Sequence, residues 1–181
     1  MAEYAISSPG NAGLSDKTFK RLAAFIESEL GIRMPDTKRV MLESRLQKRL
    51  RILGMNDYDA YLDKVFGPEG ATELVHMIDA VTTNKTDFFR EADHFDILSS
   101  RLIPSMLHRN PGKQTLSFWS AGCATGEEPY TLAIVLEEYR SSNPGFDYSI
   151  VATDISTRAL EKAVRDRKST RLNSSHGKLS R

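Results

Sequence analysis

Three acidic residues follow the two stretches of this chain that most resemble β-strands. Glu127 and Glu128 come after a turn that contains Gly122 and Gly126, and glycines permit unusual dihedral angles and close backbone approach. Asp154 ends the next strand-like stretch. Ligands of doubly wound sheets bind beyond the carboxyl ends of the strands, so we expect these acids to lie at one ligand site.

The residue types in this turn restrict the ligand. The glycine spacing of a dinucleotide fingerprint is absent, and so is the Gly-Lys-Ser/Thr of a P-loop. Carboxylates disfavour phosphate and suit a ligand with positive charge or with N–H and hydroxyl donors. S-adenosylmethionine (SAM) has both. The alternative is that Glu127, Glu128 and Asp154 only cap helices, which is worth about 1 kcal/mol, and spacing alone leaves both interpretations open.

The second half of the chain alternates between strand and helix patterns. Strands are predicted over 115–119 and 147–153, and helices over 129–139 and 156–164. This order is the beginning of a doubly wound α/β sheet.

The first half carries only helical periodicity, with glycines placed to end helices. Helices are predicted to follow Ser15, to run from Asp36 to Gly54, and to cover 58–66 and 71–81. The predicted fold class is therefore α/β, with a small all-helical N-terminal domain followed by a doubly wound, Rossmann-like domain.

A polar segment joins the two halves. Asn84, Thr86 and Arg90 are spaced two and four apart, around a helix start that we predict at Thr86 or Asp87. We expect this helix to bend or end near Pro104, because proline removes a helical hydrogen bond. The simplest interpretation of the segment is a capped helix with Arg90 in a surface ion pair.

Residues 38–51 are the most basic part of the chain, with six basic residues and one acid. At 100° per residue, Lys38, Arg45 and Arg49 lie within about 40° of each other on a helix. Less tightly grouped beside them are Arg39, Lys48 and Arg51. Such a face is either solvated or a docking surface for an acidic partner.

The net charge of +1 is unevenly distributed. The final fifteen residues hold five of the 25 basic side chains and none of the 24 acids, which leaves −4 for the rest of the chain. This acidic body favours the docking interpretation of the basic helix. It also argues against a nucleic-acid partner, and a nucleic-acid-binding bundle would rest on that helix alone.

Composition bounds the class of protein. The 181 residues are 40% hydrophobic and 27% charged, as in soluble globular proteins, and no apolar run approaches the ~20 residues that span a bilayer. The chain start lacks a secretory pattern, and the single cysteine precludes an internal disulfide. We therefore expect a cytoplasmic protein without membrane insertion. The four histidines lack metal-ligand spacing, so we expect no metal.

Three segments converge on a known family. TTNKTDFFREADHFD, FWSAGCATGEEPYTLAIVL and VATDISTRALEKA occur in an order and separation that strongly resemble the CheR-type chemotaxis receptor methyltransferases. The resemblance covers about residues 14–166. The predicted organisation is a flexible lead 1–13, a helical N-terminal domain 14–81, a linker motif and helix 82–112, and the start of a SAM-binding domain 113–166.

The resemblance implies a SAM-dependent protein-glutamate O-methyltransferase that acts on a methyl-accepting chemotaxis receptor and releases S-adenosyl-L-homocysteine. It implies a catalytic role for Arg90, which would orient a carboxylate of the cofactor or of the substrate. The implied cofactor-binding residues are Asn84, Thr86, Arg90, Glu128 and Asp154. The implied receptor-binding residues are Lys38, Arg39, Arg45, Lys48 and Arg49. Spacing does not choose between Glu127 and Glu128, and we expect a monomer.

The resemblance stops before the end of the chain. Two predicted strands are fewer than a methyltransferase sheet needs, and residues 167–181 lack apolar period and any counterpart in the family pattern. We expect a truncated sequence with a non-native tail and little methyltransferase activity. The alternative function is a non-catalytic receptor- or partner-binding module with a residual nucleotide-type fold.

Overall fold

The computed structural model describes residues 13–112 and 115–174, with side chains as far as Arg165. The chain divides into two compact units, one up to Thr82 and one from Thr83. Most of the predicted lead, and residues 175–181 of the predicted tail, lie outside the described residues.

The predicted helices of the first unit are confirmed. They are α1 Asp16–Leu30, a 3-10 turn Asp36–Lys38, α2 Arg39–Leu53, α3 Tyr58–Val65 and α4 Ala71–Val81. The Ser15 hydroxyl caps α1 by accepting from the Thr18 amide. Gly31 and Gly54 end α1 and α2 with a φ of 66°, a left-handed conformation that favours glycine.

One apolar core holds these helices together. The side chains that are almost completely buried come from each helix, and they include Phe19, Leu22, Ile26, Leu42, Leu46, Leu50, Tyr61, Leu62 and Met77. In α1 and α2 their spacing of three or four residues places them on one face of each helix. Burial of each such side chain stabilises the fold by about 1.5–3 kcal/mol.

A buried carboxylate links three helices of this unit. Arg49 of α2 donates two hydrogen bonds to Glu73 of α4, from Nε to Oε1 at 2.6 Å and from Nη2 to Oε2 at 2.7 Å. The Tyr61 hydroxyl of α3 donates to the same Oε1 at 3.0 Å. The Glu73 side chain is 8% exposed and the Arg49 side chain 17% exposed, so the pair is largely removed from water.

Gly70 makes a tight passage between α3 and α4. A Cβ atom built at this position would lie 2.0 Å from the Val65 carbonyl oxygen and 2.5 Å from that of Lys64. We expect Gly70→Ala to lower the free energy of unfolding by about 1–3 kcal/mol, because two backbone groups must move apart. Urea denaturation would measure the change. Gly112→Ala is the control, since its Cβ would meet open space.

The second unit contains a short parallel sheet with helices packed against one face. Its elements are α5 Ala92–Ile97, a π turn Leu98–Leu102, α6 Ile103–Arg109, β1 Thr115–Ala121, α7 Glu127–Ser142, β2 Asp147–Thr153 and α8 Thr157–Ser174. Strands β1 and β2 pair in parallel from Thr115↔Asp147 to Ala121↔Thr153. The predicted order of strand, helix, strand, helix is therefore confirmed.

The two faces of the sheet differ. Leu116 of β1 packs with Ile103, Leu136 and Phe146 in a second apolar core. On the opposite face, Trp119 remains 71% exposed and Val151 57% exposed. The described part of the chain therefore covers one face of this sheet.

The helix predicted to begin at Thr86 or Asp87 begins later, at Ala92, so this prediction is wrong. Phe89 and Glu91 have φ values of 53° and 56°, and an α-helix cannot contain such residues. Pro104 lies in the first turn of α6, where its missing N–H costs little. The predicted irregularity near this proline takes the form of the π turn that precedes α6.

Helix α8 reaches Ser174 and so continues past Arg167, where we predicted the tail to begin. The proposed domain limits stay predictions. Among the described helices, none combines the length and the apolar character needed to cross a membrane.

Candidate cofactor site

The loops that follow β1 and β2 lie side by side because the strands are parallel and end in register. The amides of Gly122 and Cys123 both donate to the carbonyl oxygen of Thr153, at 2.8 and 2.9 Å. The first loop is thereby fastened to the end of β2. This is the edge of the sheet at which doubly wound folds bind ligands.

Asp154 connects the two loops. Its Oδ2 accepts from the Ala124 amide at 2.7 Å, and its Oδ1 accepts from the Ser156 amide at 2.8 Å. Ala124 has a φ of 48°, which a residue with a Cβ seldom adopts. Each carboxylate oxygen keeps a second lone pair that can accept from a ligand. The side chain is half-buried, so the carboxylate also remains accessible.

The two glutamates at the start of α7 have different surroundings. The Ser120 hydroxyl donates to Glu128 Oε1 at 2.6 Å, which holds Glu128 beside the end of β1 while it remains exposed. The Thr125 hydroxyl donates to Glu127 Oε2 at 2.5 Å. Glu127 also lines an open groove of about 960 Å³ along α7, together with Tyr130 and other side chains, whereas Glu128 does not. This geometry favours Glu128 as the acid near the strand ends.

The three polar residues of the joining segment have separate environments. Asn84 Nδ2 donates to the Ser156 hydroxyl at 3.0 Å, which places Asn84 next to the Asp154 loop. Thr86 is half-buried, and Arg90 is exposed. Arg90 Nη1 donates to the carbonyl oxygen of Lys85 at 3.1 Å, so it makes a backbone contact within its own loop.

Cys123 has the properties of a packing residue. The side chain is buried, and burial raises the pKa of its thiol, as does the charge of Asp154. A raised pKa leaves little of the reactive thiolate at neutral pH. Cys123 therefore acts as a small core residue rather than as a reactive thiol.

The structure separates the basic residues of 38–51 into two groups. The larger group makes contacts inside its own unit. Arg49 forms an ion pair with Glu73, and Arg45 donates hydrogen bonds to the carbonyl oxygens of Val81 and Thr82. Arg39 forms an ion pair with Asp16 and lies over the Phe19 ring. Lys38 donates a hydrogen bond to the carbonyl oxygen of Arg33. Lys38 also belongs to the 3-10 turn rather than to the helix assumed for its angular position.

The outward stripe of α2 has a different composition. Its exposed residues are Val40, Ser44, Lys48, Arg51 and Ile52. Val40 is 77% and Ile52 70% exposed, so two large apolar side chains accompany the two basic ones. Of the five predicted receptor-binding residues, Lys48 is the one on this stripe.

Three residues with hydroxyl side chains support the site and were not among the predicted site residues. Ser120 supports Glu128, Ser156 supports Asn84, and Thr131 of α7 accepts from the Phe89 amide at 3.2 Å. Ser156 precedes α8 in the manner of an N-cap, a signal that the sequence does carry. Neither Ser120 nor Thr131 has a comparable local signature.

A parallel strand pair whose two loops converge on an acid defines the class of nucleotide-type α/β domains, here preceded by a helical unit. Comparison with protein families gives the particular family. The all-alpha domain of the CheR methyltransferases matches residues 17–82, and their SAM-binding domain matches residues 84–171. The chain belongs to the CheR methyltransferase family, whose cofactor is S-adenosyl-L-methionine.

Curated relatives agree with this assignment. A chemotaxis protein methyltransferase of Borreliella burgdorferi is 35% identical over 156 residues, which are 84% of this chain and 55% of the relative. One of Salmonella typhimurium is 41% identical over 150 residues, or 83% of this chain and 49% of the relative. One of Escherichia coli is 39% identical over 150 residues. The chain spans about half the length of these relatives.

Proposed function

We propose that this chain is part of a SAM-dependent protein-glutamate O-methyltransferase that acts on a methyl-accepting chemotaxis receptor. The observation that carries the proposal is the position of Asp154, which joins the loops after β1 and β2 and keeps lone pairs for a ligand. The names of the relatives support methylation in chemotaxis. A cytoplasmic, monomeric protein without membrane insertion or a nucleic-acid partner is part of this proposal.

The residues present fit the cofactor. Asp154 is suited to accept from the ribose hydroxyls, and the exposed Glu128 places negative charge near the ammonium or sulfonium. A Cβ built at Gly122 meets no atom within 4 Å, so the turn leaves room beside its backbone. Asn84, Thr86 and Arg90 complete the proposed set from the joining segment. When bound, SAM supplies a methyl group activated by the sulfonium.

The proposed reaction needs no general base from this chain. A glutamate side chain with a pKa near 4.3 is already ionised at neutral pH and can act as the nucleophile. What remains for the protein is positioning and partial exclusion of water, because attack disperses two opposite charges. Arg90 would orient a carboxylate, either that of the cofactor or that of the substrate, through its paired N–H groups.

We propose that the receptor helix docks on the basic helix, as expected from Lys38, Arg39, Arg45, Lys48 and Arg49. The contacts of Arg45 and Arg49 inside the helical unit indicate that these two residues hold the helix in position rather than contact the receptor directly. Lys48, with Arg51 beside it, presents the positive charge that an acidic helix would meet.

Charge reversal tests the docking proposal. We expect Lys48→Glu with Arg51→Glu to weaken binding of a receptor cytoplasmic fragment at least about tenfold, because attraction becomes repulsion at contact. Calorimetry would measure the affinity. Lys20→Glu with Lys64→Glu changes the net charge equally at exposed sites of the same unit. Equal weakening by both pairs would remove the docking surface from the proposal.

The alternative function is a non-catalytic binding module. Calorimetric titration of SAM into this chain would distinguish this module from a methyltransferase. Binding of SAM would support the methyltransferase site. Binding of the receptor fragment without any binding of SAM would favour the module.

A further inference from the structure

The loop that carries Arg90 is held by a side chain that no sequence motif singles out. Thr131 lies on the first turns of α7 and is fully buried. Its hydroxyl donates to the carbonyl oxygen of Glu127 at 2.7 Å and accepts from the amide of Phe89 at 3.2 Å. One hydroxyl therefore joins the start of α7 to the residue that precedes Arg90.

The backbone on both sides of Arg90 is in an unfavourable conformation. Phe89 and Glu91 have φ values of 53° and 56°, in the left-handed region. Non-glycine residues there cost of order 1–3 kcal/mol each and persist only where surrounding contacts maintain them. For Phe89, these contacts are the hydrogen bond that its amide donates to the Thr131 hydroxyl and an edge-on ring contact with Phe95 at 6.3 Å between centroids. Arg90 lies between these two residues, and its Nη1 donates to the Lys85 carbonyl oxygen of the same loop.

A second buried hydroxyl holds the other end of the same segment. Ser156 is fully buried and accepts from Asn84 Nδ2 at 3.0 Å and from the Ala159 amide at 3.2 Å. Its own amide donates to Asp154. Residues 84–90 are therefore fastened to the α7 side of the site through Thr131 and to the Asp154 loop through Ser156.

We propose that Thr131 is a positioning residue, which fixes the left-handed turn at Phe89 and so directs Arg90 toward the cofactor site. The inference rests on the proposed function, because it assigns Arg90 to that site. Thr131 is fully buried and acts through the hydrogen bond that its hydroxyl accepts from the Phe89 amide. A loop held in one conformation before binding loses less entropy when the ligand arrives.

Thr131→Val keeps the shape of the side chain and removes the hydroxyl, whereas Thr131→Ser keeps the hydroxyl. We expect hydrogen exchange at the Phe89 amide to be at least about tenfold faster in Thr131→Val and nearly unchanged in Thr131→Ser. Ser141→Ala is the matched control, because Ser141 also donates to a carbonyl of α7 but is exposed. This measurement needs no ligand.

Affinity for SAM is the second readout. We expect Thr131→Val to bind SAM about tenfold more weakly and Thr131→Ser to restore binding, with thermal midpoints close to that of the unsubstituted chain. Equal weakening by both variants, or unchanged exchange at Phe89 in Thr131→Val, would overturn the positioning role. If the unsubstituted chain bound no SAM, the proposed function would fail, and the exchange data would still decide whether Thr131 holds the turn.

Discussion

Asp154→Asn is expected to weaken SAM binding by about 100-fold. The substitution preserves the size of the side chain. However, the single oxygen of the asparagine amide can accept only one of the two backbone hydrogen bonds that the Asp154 carboxylate accepts. The amide nitrogen would face the other donor, at Ala124 or Ser156, and the negative charge would be lost. Hydrogen bonds to a charged group contribute about 1.5–3 kcal/mol each, and 1.4 kcal/mol corresponds to tenfold in affinity.

The control for this substitution lies at the start of the strand that Asp154 follows. Asp147 is exposed at the opposite end of β2, and Asp147→Asn makes the same chemical change away from the site. Calorimetric titration of SAM into each variant would give both affinities. Comparable affinities for the two variants would show that Asp154 does not bind the cofactor, and near-equal thermal midpoints would exclude unfolding as the cause.

Glu73→Ala is expected to lower the free energy of unfolding of the helical unit by about 3–5 kcal/mol. Removal of one partner of a buried ion pair leaves the other charge without compensation in a poorly solvated place. Arg49 would lose both of its hydrogen bonds to Glu73, and the Tyr61 hydroxyl would lose its acceptor. Glu69→Ala is the control, since Glu69 is exposed just before α4.

Urea denaturation can assign this loss to the correct unit. Circular dichroism reports on the helices of both units, whereas the fluorescence of Trp119, the only tryptophan of the chain, reports on the second unit, where it lies on β1. We expect Glu73→Ala to shift the part of the circular dichroism transition that comes from the helical unit and to leave the Trp119 fluorescence transition in place. No shift of the helical transition relative to Glu69→Ala would contradict the stabilising role of the pair.

The same carboxylate makes stability depend on pH. Burial raises the pKa of Glu73, but hydrogen bonds from Arg49 and Tyr61 outweigh it and lower the folded-state pKa below the ordinary value. The contribution is therefore complete above about pH 4.5, the ordinary value for glutamate, and is lost as pH falls through the lower folded-state pKa. The stability difference between the chain and Glu73→Gln should narrow in that acidic range.

Local sequence signals predicted most elements of the fold. Gly31 and Gly54 end helices because their left-handed conformation suits a residue without a side chain. Alternation of strands and helices after residue 115 predicted the parallel pair, and thereby the meeting of Asp154 with the first loop. These features follow from local patterns, namely a glycine at the end of a helix and the alternation of strand and helix periodicity.

The features that could not be predicted are contacts between residues that are far apart in the sequence. Arg49 was grouped with the docking residues because periodicity cannot reveal Glu73, 24 residues away, on its other side. The contact between Asn84 and Ser156 spans 72 residues. The left-handed turn at Phe89 and Glu91 contradicts the local helical pattern, and a tertiary contact with Thr131 maintains it.

The pairing of arginines inside the helical unit also determines how far its positive charge reaches. Arg39 and Arg49 each face a carboxylate, so each pair looks nearly neutral from a distance. Lys48 and Arg51 remain as the outward positive charges of α2, and physiological salt screens them beyond about 8 Å. Through this helix, these two charges would thus attract an acidic helix mainly at short range, and the attraction would weaken as ionic strength rises.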